Sequence, residues 1–529
     1  MISTRRFPGD CVAVMTFLLS RARRFFVVVP ALLFLSLFAI SCGGGGGSSS
    51  SNESFVTIPE GTDPCKHPEY WPQNIASDKE YPGIPGSYRF RVYYRNNKER
   101  DMALKVVRYL DDAWDKEIDT IRFTLPPRYP SEGTSRCGQD ASFAVFLWDG
   151  HRSCFVTPVD PEAADSIIPS DFMTDWGGLA SYMILDAWGQ YGEDLRNVNP
   201  KDQLKQTVGH ELNHASHAAD DDHDIGIAYE MSASFIEQLY GPSDPQEVQS
   251  FQSSPEWSLL WFDNYLTWYY MYGSALYMHF LRDNYFYEYA DTPEKDLEND
   301  RFLAELWRAV RNTPDPTVNK PNWVDGINTI LAPKKSSFIE SAEVFARWRY
   351  YTGSRDDGKH FRHWLVDWAQ EKPDCAEEHP SSKVEMPFQC EATLKIPTIV
   401  QGTDSKFAGP MVLGSVYVNV ERAQEDQTSF ELTLPPPPTP DQTQKHLKNL
   451  TLRWMVQALP GIVAGTDGET VSDGKTPASK ARVAFDPKTG QRTLVFTLLP
   501  VLGFDPEVQG FDPEVQWGER YPLTIKLSP

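Results

Sequence analysis

The sequence predicts an α+β protein: a small mixed sheet with helices comes first, a helical subdomain follows, and an all-β, sandwich-like domain ends the chain. Three observations indicate this order. Short alternating runs and one amphipathic helix precede residue 200, aromatic-rich helical patterns fill residues 250–368, and strands separated by Pro and Gly begin near residue 393. With 529 residues, 40% of them hydrophobic, the chain is long enough for several domains with packed cores.

The amino-terminal segment, residues 1–41, is predicted to be a lipoprotein signal peptide, because basic residues precede the apolar run Phe25–Ile40. The ending Ala39-Ile40-Ser41-Cys42 resembles a bacterial lipobox, which implies that Cys42 becomes the lipidated first residue of the mature protein. We therefore expect a lipid anchor in the membrane of the bacterial cell envelope, with the outer membrane favoured and the periplasmic or surface-facing side left open. An uncleaved anchor is the alternative, but 16 apolar residues are short for a span of about 20.

Residues 42–62 are expected to form a flexible tether rich in Gly and Ser. Beyond the acylated Cys42, the cysteines are Cys65, Cys137, Cys154, Cys375 and Cys390. An oxidising compartment permits disulfides, and an odd number leaves one cysteine unpaired. The favoured pair is Cys375 with Cys390, because both lie in one Pro-rich loop region; Cys137 with Cys154 is the weaker alternative.

Residues 63–200 are expected to form an amino-terminal α/β subdomain. Alternation predicts strands, apolar residues at helical spacing predict a helix, and Asp149-Gly150 predicts a hairpin turn. The predicted elements are strand Tyr88–Tyr94, helix Asp101–Asp119, hairpin strands Phe143–Trp148 and Cys154–Val159, and strand Ala180–Leu185. If Ser181–Asp186 is the edge strand, an extended peptide can pair with it through main-chain hydrogen bonds.

Residues 201–370 are expected to be helical and carry an HExxH motif, His210-Glu211-Leu212-Asn213-His214. On a helix Lys201–Ala218 the two histidines lie one turn apart on one face. Both can then bind one zinc ion, Zn²⁺, while Glu211 reaches its bound water as a general base. Apolar residues at helical spacing would bury one stripe of this helix and fix the direction of the histidines: Leu204, Val208 and Leu212.

A hydrolytic zinc site takes three protein ligands and keeps a fourth position open, so a third ligand is required. The sequence offers two candidates. Asp220 fits a metzincin-like HExxHxxGxxD spacing, but His217 stands at the Gly position, where a side chain makes the left-handed turn costly. Glu230 lies on a second predicted helix, Ala228–Tyr240, which follows a turn at Gly226.

The stretch HELNHASHAADDDHDIGIAYEMSASFIEQLY, from His210 to Tyr240, resembles the short gluzincin domains of the peptidase MA clan. Their pattern is HExxH, a short spacer, and a Glu followed by small residues and an aromatic. The resemblance implies that Glu230 is the third zinc ligand and that the protein is a zinc metallopeptidase. It also implies that the preceding strands and helix form a gluzincin-like amino-terminal subdomain. The chain departs from the pattern at Ser234, where larger relatives place a supporting carboxylate.

The segment after the motif is rich in aromatic residues, most of which are predicted to form core. The stretch Tyr270–Tyr285 resembles the helix that follows the Glu ligand in the same family. Tyr272 is the candidate for a hydroxyl that steadies an oxyanion, although buried Tyr hydroxyls commonly bond only to local partners.

A change in composition predicts a linker at residues 371–394 and a sandwich-like β domain at residues 395–529. This domain carries no catalytic pattern, and spacing, docking or substrate binding are its expected uses. Its predicted strands are Val412–Val420, Ser429–Leu434, Leu450–Val456, Arg492–Leu498 and Tyr521–Leu527.

The net charge of −23 argues against nucleic-acid binding and favours a soluble surface. Together these features predict an envelope-anchored zinc metallopeptidase, a hydrolase that acts on a peptide or protein substrate. The alternative is a non-catalytic binding or adhesion lipoprotein on a peptidase-like scaffold, since a fold does not guarantee chemistry. The oligomeric state and the substrate are left open.

Overall fold

The computed structural model describes the chain in segments between residues 74 and 528. The described residues are 74–76, 89–94, 99–126, 143–148, 155–158, 181–186, 203–221, 224–241, 245–261, 268–312, 319–352, 355, 357, 359–361, 365–366, 384–385, 394, 396–400, 405–440, 450–461, 468–475, 479–502 and 520–528. The predicted signal peptide, the lipidation site Cys42, the tether and the disulfide Cys375–Cys390 lie outside these residues and stay predictions.

The first sheet has five strands in the order β1-β2-β3-β5-β4. Strands β2, β3 and β5 are parallel, whereas β1 and β4 run antiparallel to their neighbours. The strands are β1 Asn74–Ala76, β2 Phe90–Tyr94, β3 Phe143–Trp148, β4 Phe155–Pro158 and β5 Ser181–Asp186. Both predicted strands around Asp149-Gly150 are therefore present, and the described part of the second is Phe155–Pro158.

The predicted hairpin between β3 and β4 is wrong, because β5 lies between them and is not an edge strand. The physical reason lies in the side chains. The described residues of β3 and β5 are buried without alternation, which is typical of strands in the middle of a parallel sheet. A local turn signal such as Asp149-Gly150 does not record which strand lies beside β3. Among the described strands, β4 forms the edge next to β5.

Three helices bear on the motif, and the first two of them contact the sheet. Helix α1, Arg100–Ala113, continues as a π-helical segment, Trp114–Ile121, that ends at the left-handed Arg122 with φ of 76°. Helix α2, Gln203–Asp220, carries the HExxH motif, and helix α3, Gly226–Glu237, follows it. Both α1 and α3 pack against α2. The predicted helices are confirmed with ends shifted by two or three residues at most.

The predicted helical pattern to about residue 368 is wrong at its end, where Leu365–Val366 form a short strand, because an apolar run this short does not distinguish a helix from a strand. The helical region continues to residue 348. Its helices are α4 Pro245–Ser253, α5 Trp268–Gly273, α6 Ala275–Leu281, α7 Pro293–Glu298, α8 Arg301–Ala309, α9 Trp323–Leu331 and α10 Phe338–Trp348. Most of the described aromatic side chains on α5, α6 and α8 to α10 are buried, which agrees with their predicted role as core. No helix in the described part of the chain is both long enough and apolar enough to span a bilayer.

The carboxyl-terminal region is all-β, and each of its five predicted strands is present. A five-stranded sheet has the order β13-β12-β15-β10-β8, and a four-stranded sheet has the order β14-β11-β16-β9. Buried side chains of both sheets belong to one core cluster. The strands are β8 Thr398–Val400, β9 Ser405–Phe407, β10 Ser415–Glu421, β11 Ser429–Thr433, β12 Thr451–Leu459, β13 Glu469–Ser472, β14 Lys480–Ala484, β15 Gln491–Leu502 and β16 Leu523–Ser528.

A short antiparallel pair precedes these sheets. Strand β6, Leu365–Val366, pairs with β7, Val384–Glu385. Because β7 lies inside the segment 371–394, the region predicted to be a linker contains at least one short strand.

The five-stranded sheet packs directly on the helical region. The Tyr417 hydroxyl donates to the Ala346 carbonyl on α10 at 2.6 Å, and the Met411 amide donates to the Glu256 carbonyl at 2.8 Å. A Cβ at Gly414 would overlap that same carbonyl, so the two backbones approach closely there. The β region is therefore joined to the helices by specific hydrogen bonds as well as by apolar contacts.

Candidate metal centre

Helices α2 and α3 bring His210, His214 and Glu230 to one point. The Nε2 atoms of His210 and His214 are 3.0 Å apart, and the Glu230 Oε2 atom lies 3.3 Å from the first and 3.6 Å from the second. Ligand atoms about 2.0–2.1 Å from a tetrahedral zinc ion lie about 3.3 Å from one another. The three atoms thus form one face of a tetrahedron of the size that zinc requires.

The sequence of α2 explains why its histidines point toward α3. Leu204, Val208 and Leu212 are all buried, as their spacing predicts, and they hold one stripe of the helix in the core. His210 and His214 follow on an adjacent face, one turn apart, with their ring centroids 4.6 Å from each other. Burial of the apolar stripe therefore fixes the rotation of α2 about its axis.

Helix α3 packs against α2, and small, buried side chains follow Glu230 on α3. Ser232, Ala233 and Ser234 are all buried, and the Ser232 hydroxyl accepts a hydrogen bond from the Trp307 indole nitrogen on α8 at 3.1 Å. This bond holds α3 against α8. The carboxylate of Glu230 then projects from α3 toward the two imidazoles.

The charges of the centre suit a cation. Burial opposes ionisation of Glu230, but the two adjacent histidines outweigh it and hold the pKa of this carboxyl at about 2. Burial likewise disfavours a charged His214 and lowers its pKa. Burial opposes the charged form of His210 too, but Glu230 and Glu237 outweigh it and raise the pKa of His210. An ionised carboxylate and two imidazoles aimed at one point are the donor set of hydrolytic zinc sites.

Glu237 supports the centre, and sequence reasoning missed it. Its Oε2 atom lies 3.4 Å from the His210 Nδ1 atom, on the side of the ring away from the other ligands. A carboxylate there fixes the orientation and tautomer of a ligating imidazole. The available signal was helical spacing, since Glu237 follows Glu230 by seven residues, which is two turns of α3.

Two further predicted site residues lie beside the ligands. Glu211 is buried on α2 next to His210. Tyr272, on α5, is half-buried, and its ring centroid is 6.0 Å from that of His210. The structure thus brings Tyr272 to the centre from a distant part of the sequence. Its proposed role toward an oxyanion stays a prediction.

The alternative ligand Asp220 is not brought to this centre. Its Oδ1 atom accepts a hydrogen bond from the Arg311 Nε atom at 2.7 Å and another from the Thr124 hydroxyl at 2.8 Å. Helix α2 stays helical through His217 to Asp220, so the sharp turn of the metzincin-like spacing does not form there. Among the described residues, the group that can hold a metal ion is His210, His214 and Glu230.

Comparisons of the chain with protein-family models, with curated proteins and with solved structures found no match. The chemistry of the site is therefore argued from its geometry. The three donor atoms pass a test of fit to zinc in their chemical type, in their mutual distances and in the carboxylate that supports one imidazole.

Proposed function

We propose that the protein is a zinc-dependent metallopeptidase of gluzincin type that hydrolyses peptide bonds. The observation that carries this proposal is the triangle of His210 Nε2, His214 Nε2 and Glu230 Oε2, whose sides measure 3.0, 3.3 and 3.6 Å. Glu211 follows His210 on α2 and is buried there, which is the sequence position of the general base in an HExxH peptidase. The coarser α+β architecture is in keeping with a gluzincin-like catalytic region followed by a sandwich-like β domain.

The proposed roles follow from the position of each side chain. His210, His214 and Glu230 hold the zinc ion, and Glu237 orients the His210 ring. When bound, zinc polarises the scissile carbonyl and lowers the pKa of a coordinated water toward about 7.

The residues of the chain then handle the proton and the developing charge. Glu211 accepts the proton from the attacking water and later gives it to the leaving amine. A hydrogen bond from the Tyr272 hydroxyl steadies the negative oxygen that develops on the substrate.

The proposed substrate is an extended peptide or protein segment. Among the described strands, β4 forms one edge of the first sheet and β1 the other, and both β4 and β5 contact helix α2. An edge strand offers main-chain donors and acceptors to an extended chain. A peptide that pairs with β4 would therefore run alongside the helix that carries His210 and His214.

The proposal includes the cellular location. We infer that Cys42 carries a lipid and that the tether of residues 42–62 holds the folded part away from the membrane of a bacterial envelope. The substrate would then be a polypeptide accessible from that membrane.

Metal analysis and peptide hydrolysis with Glu211→Gln test the proposal. The purified wild-type protein should contain one zinc ion per chain and cleave unfolded protein substrates. The variant should keep its zinc and lose nearly all hydrolysis, because the amide fits the same space but does not accept a proton. If the wild-type protein binds no zinc, the alternative function, a non-catalytic binding or adhesion lipoprotein, is favoured. If the variant hydrolyses peptides at a near-normal rate, Glu211 is not the general base.

A further inference from the structure

Glu117 is a buried carboxyl behind the metal centre that the proposed mechanism does not use. It lies on the π-helical segment Trp114–Ile121, and its side chain is inaccessible to solvent. Its Oε1 atom accepts a hydrogen bond from the Tyr240 hydroxyl at 2.7 Å, and its Oε2 atom accepts one from the Asn213 amide at 3.3 Å. We call Glu117, Asn213 and Tyr240 the Glu117 cluster.

The partners of Glu117 belong to the two helices that hold the metal ligands. Asn213 is fully buried on α2, immediately before His214. Tyr240 follows the last turn of α3, and its amide donates to the Glu237 carbonyl at 3.0 Å. One carboxyl therefore bonds to the helix of the two histidines and to the end of the helix of Glu230 and Glu237.

Gly209 explains how Tyr240 reaches Glu117. A Cβ at Gly209 would overlap the Tyr240 ring, so only a glycine lets that ring lie against α2. This contact is one residue before His210. The Lys116 ammonium lies 4.4 Å from the centroid of the same ring and donates to the Leu239 carbonyl at 3.2 Å, which holds the end of α3 against the π-helical segment.

We propose that Glu117 is a positioning residue that, through Asn213 and Tyr240, sets the spacing between the histidine ligands on α2 and Glu230 and Glu237 on α3. The inference rests on the proposed function, because it assigns Glu117 to the same metal centre. The distances within the centre require such a constraint, since a shift of α2 against α3 would open the triangle of ligand atoms.

The carboxyl acts here through the two hydrogen bonds that its oxygens accept. Burial raises the pKa of Glu117 to about 8, although the bonds from Tyr240 and Asn213 and the charge of Lys116 oppose that rise. A glutamine has nearly the same shape and keeps one acceptor oxygen for Asn213, and the Tyr240 hydroxyl can turn to accept from its amide, so glutamine should keep both hydrogen bonds. An alanine removes both hydrogen bonds.

Zinc affinity of Glu117 variants, measured by competition with a chelator, tests the proposal in the full-length protein. Glu117→Ala should weaken zinc binding by about 10- to 100-fold, the range found for residues that support metal ligands. Glu117→Gln should retain wild-type affinity within the error of the measurement. With cobalt in place of zinc, the visible spectrum should change in the alanine variant and return to its wild-type form in the glutamine variant, because it reports ligand geometry.

Two further variants separate positioning from general stability. Tyr240→Phe removes one hydroxyl and leaves the ring on Gly209. It should weaken zinc binding, but less than Glu117→Ala does. If the alanine variant does not fold, Tyr240→Phe provides the test. Asp300→Asn is the matched control, because Asp300 is also a buried carboxyl but pairs with the Arg282 Nε atom at 2.6 Å. It should lower thermal stability without changing zinc affinity.

Hydrogen exchange of the metal-free protein tests the inference apart from the proposed function. Glu117→Ala should speed exchange of backbone amides around His210 and His214 in α2, and Glu117→Gln should not. If wild-type protein binds no zinc, the proposed function falls while this measurement still decides the role of Glu117. Unchanged exchange in α2 and unchanged zinc affinity in Glu117→Ala would overturn the inference, as would a glutamine variant that behaves like the alanine variant.

Discussion

Glu230 and Asp220 are the two candidates for the third metal ligand, and their carboxylates lie in different surroundings. Glu230 faces both Nε2 atoms, whereas Asp220 is paired with Arg311 and Thr124. Removing a ligand should lower the affinity for zinc by far more than the roughly 10- to 100-fold loss that follows removal of a supporting residue. We therefore expect Glu230→Ala to lose its zinc to a mild chelator.

Asp220→Ala is the matched comparison for that variant. It should keep its zinc and instead lower the free energy of unfolding by about 1–3 kcal/mol, because the Arg311 guanidinium and the Thr124 hydroxyl lose their buried acceptor. Zinc content after dialysis and chemical denaturation measure the two effects. A metal-free Asp220 variant would replace the gluzincin assignment with the metzincin-like one.

Glu117 also predicts how stability depends on pH. Its carboxyl has a pKa of about 8 in the folded protein against 4.5 ordinarily, so between these values the folded state keeps a proton that the unfolded chain has lost. The free energy of unfolding should therefore fall as pH rises from about 4.5 to about 8, by up to about 1.4 kcal/mol per pH unit. The ionisable groups around Glu117 are Lys116, Tyr240 and His210.

The difference in stability between wild type and Glu117→Gln isolates this contribution, because glutamine does not titrate while the neighbouring groups stay the same. Denaturation of both proteins across the pH range should show the free energy of unfolding of the wild type falling relative to that of the variant as pH rises. A constant difference would mean that Glu117 is already ionised in the folded protein at neutral pH.

At the scale of the helix, α3 carries two carboxylates on one face, and the second is two turns beyond the first. Glu237→Gln should weaken zinc by about 10- to 100-fold, because a neutral amide holds the His210 ring less strongly than a carboxylate does. Ser234→Ala is the control, since Ser234 is buried one turn after Glu230 at the position where larger gluzincins have their supporting carboxylate. Chelator competition on both variants gives the comparison. If the Ser234 variant loses more zinc than the Glu237 variant, the supporting role belongs to the earlier turn.

Local pattern was enough to predict α2 and α3, because Leu204, Val208 and Leu212 mark the buried face of one helix and the HExxH spacing lies within it. The resemblance to gluzincins added Glu230 to the two histidines, and zinc binding by these three residues stays a prediction. Contacts between distant segments were not predicted. The pairing of β3 with β5 in place of β4, and the approach of Glu117 to Asn213, depend on which elements become neighbours. The period of a single segment carries no information about that choice.

The proposed membrane anchor concerns the whole molecule, and its proposed acceptor, Cys42, lies outside the described part of the chain. Cys42 follows the apolar run and the sequence Ala39-Ile40-Ser41, so Cys42→Ser should release the protein from the membrane fraction or stall its processing. Fractionation and labelling with a fatty acid would report the change. Ser41→Ala is a suitable control because it leaves the acceptor thiol in place. Unchanged labelling of the Cys42 variant would refute the lipobox interpretation.

The contact between the helical region and the carboxyl-terminal sheets predicts that the two parts unfold together. Arg453 on β12 is buried, and its guanidinium bonds to the Glu343 carboxylate on α10 and to the Asp473 carbonyl. Arg453→Met should therefore lower the free energy of unfolding by about 1–3 kcal/mol, because both acceptors lose their donor in a largely buried place. Calorimetry should show one transition that moves as a whole.

Lys480→Met tests whether burial at the contact is the cause. Lys480 pairs with Glu431 at 2.5 Å, but this pair joins two strands of the four-stranded sheet and its side chains are 57% and 38% exposed. Such an ion pair contributes about 0–1 kcal/mol, so its loss should change stability little. If calorimetry of Arg453→Met instead showed two separate unfolding transitions, only one of which moves, the β region would be a domain that unfolds independently of the helices. Docking or substrate binding, and not support of α10, would then be the expected role of the β region.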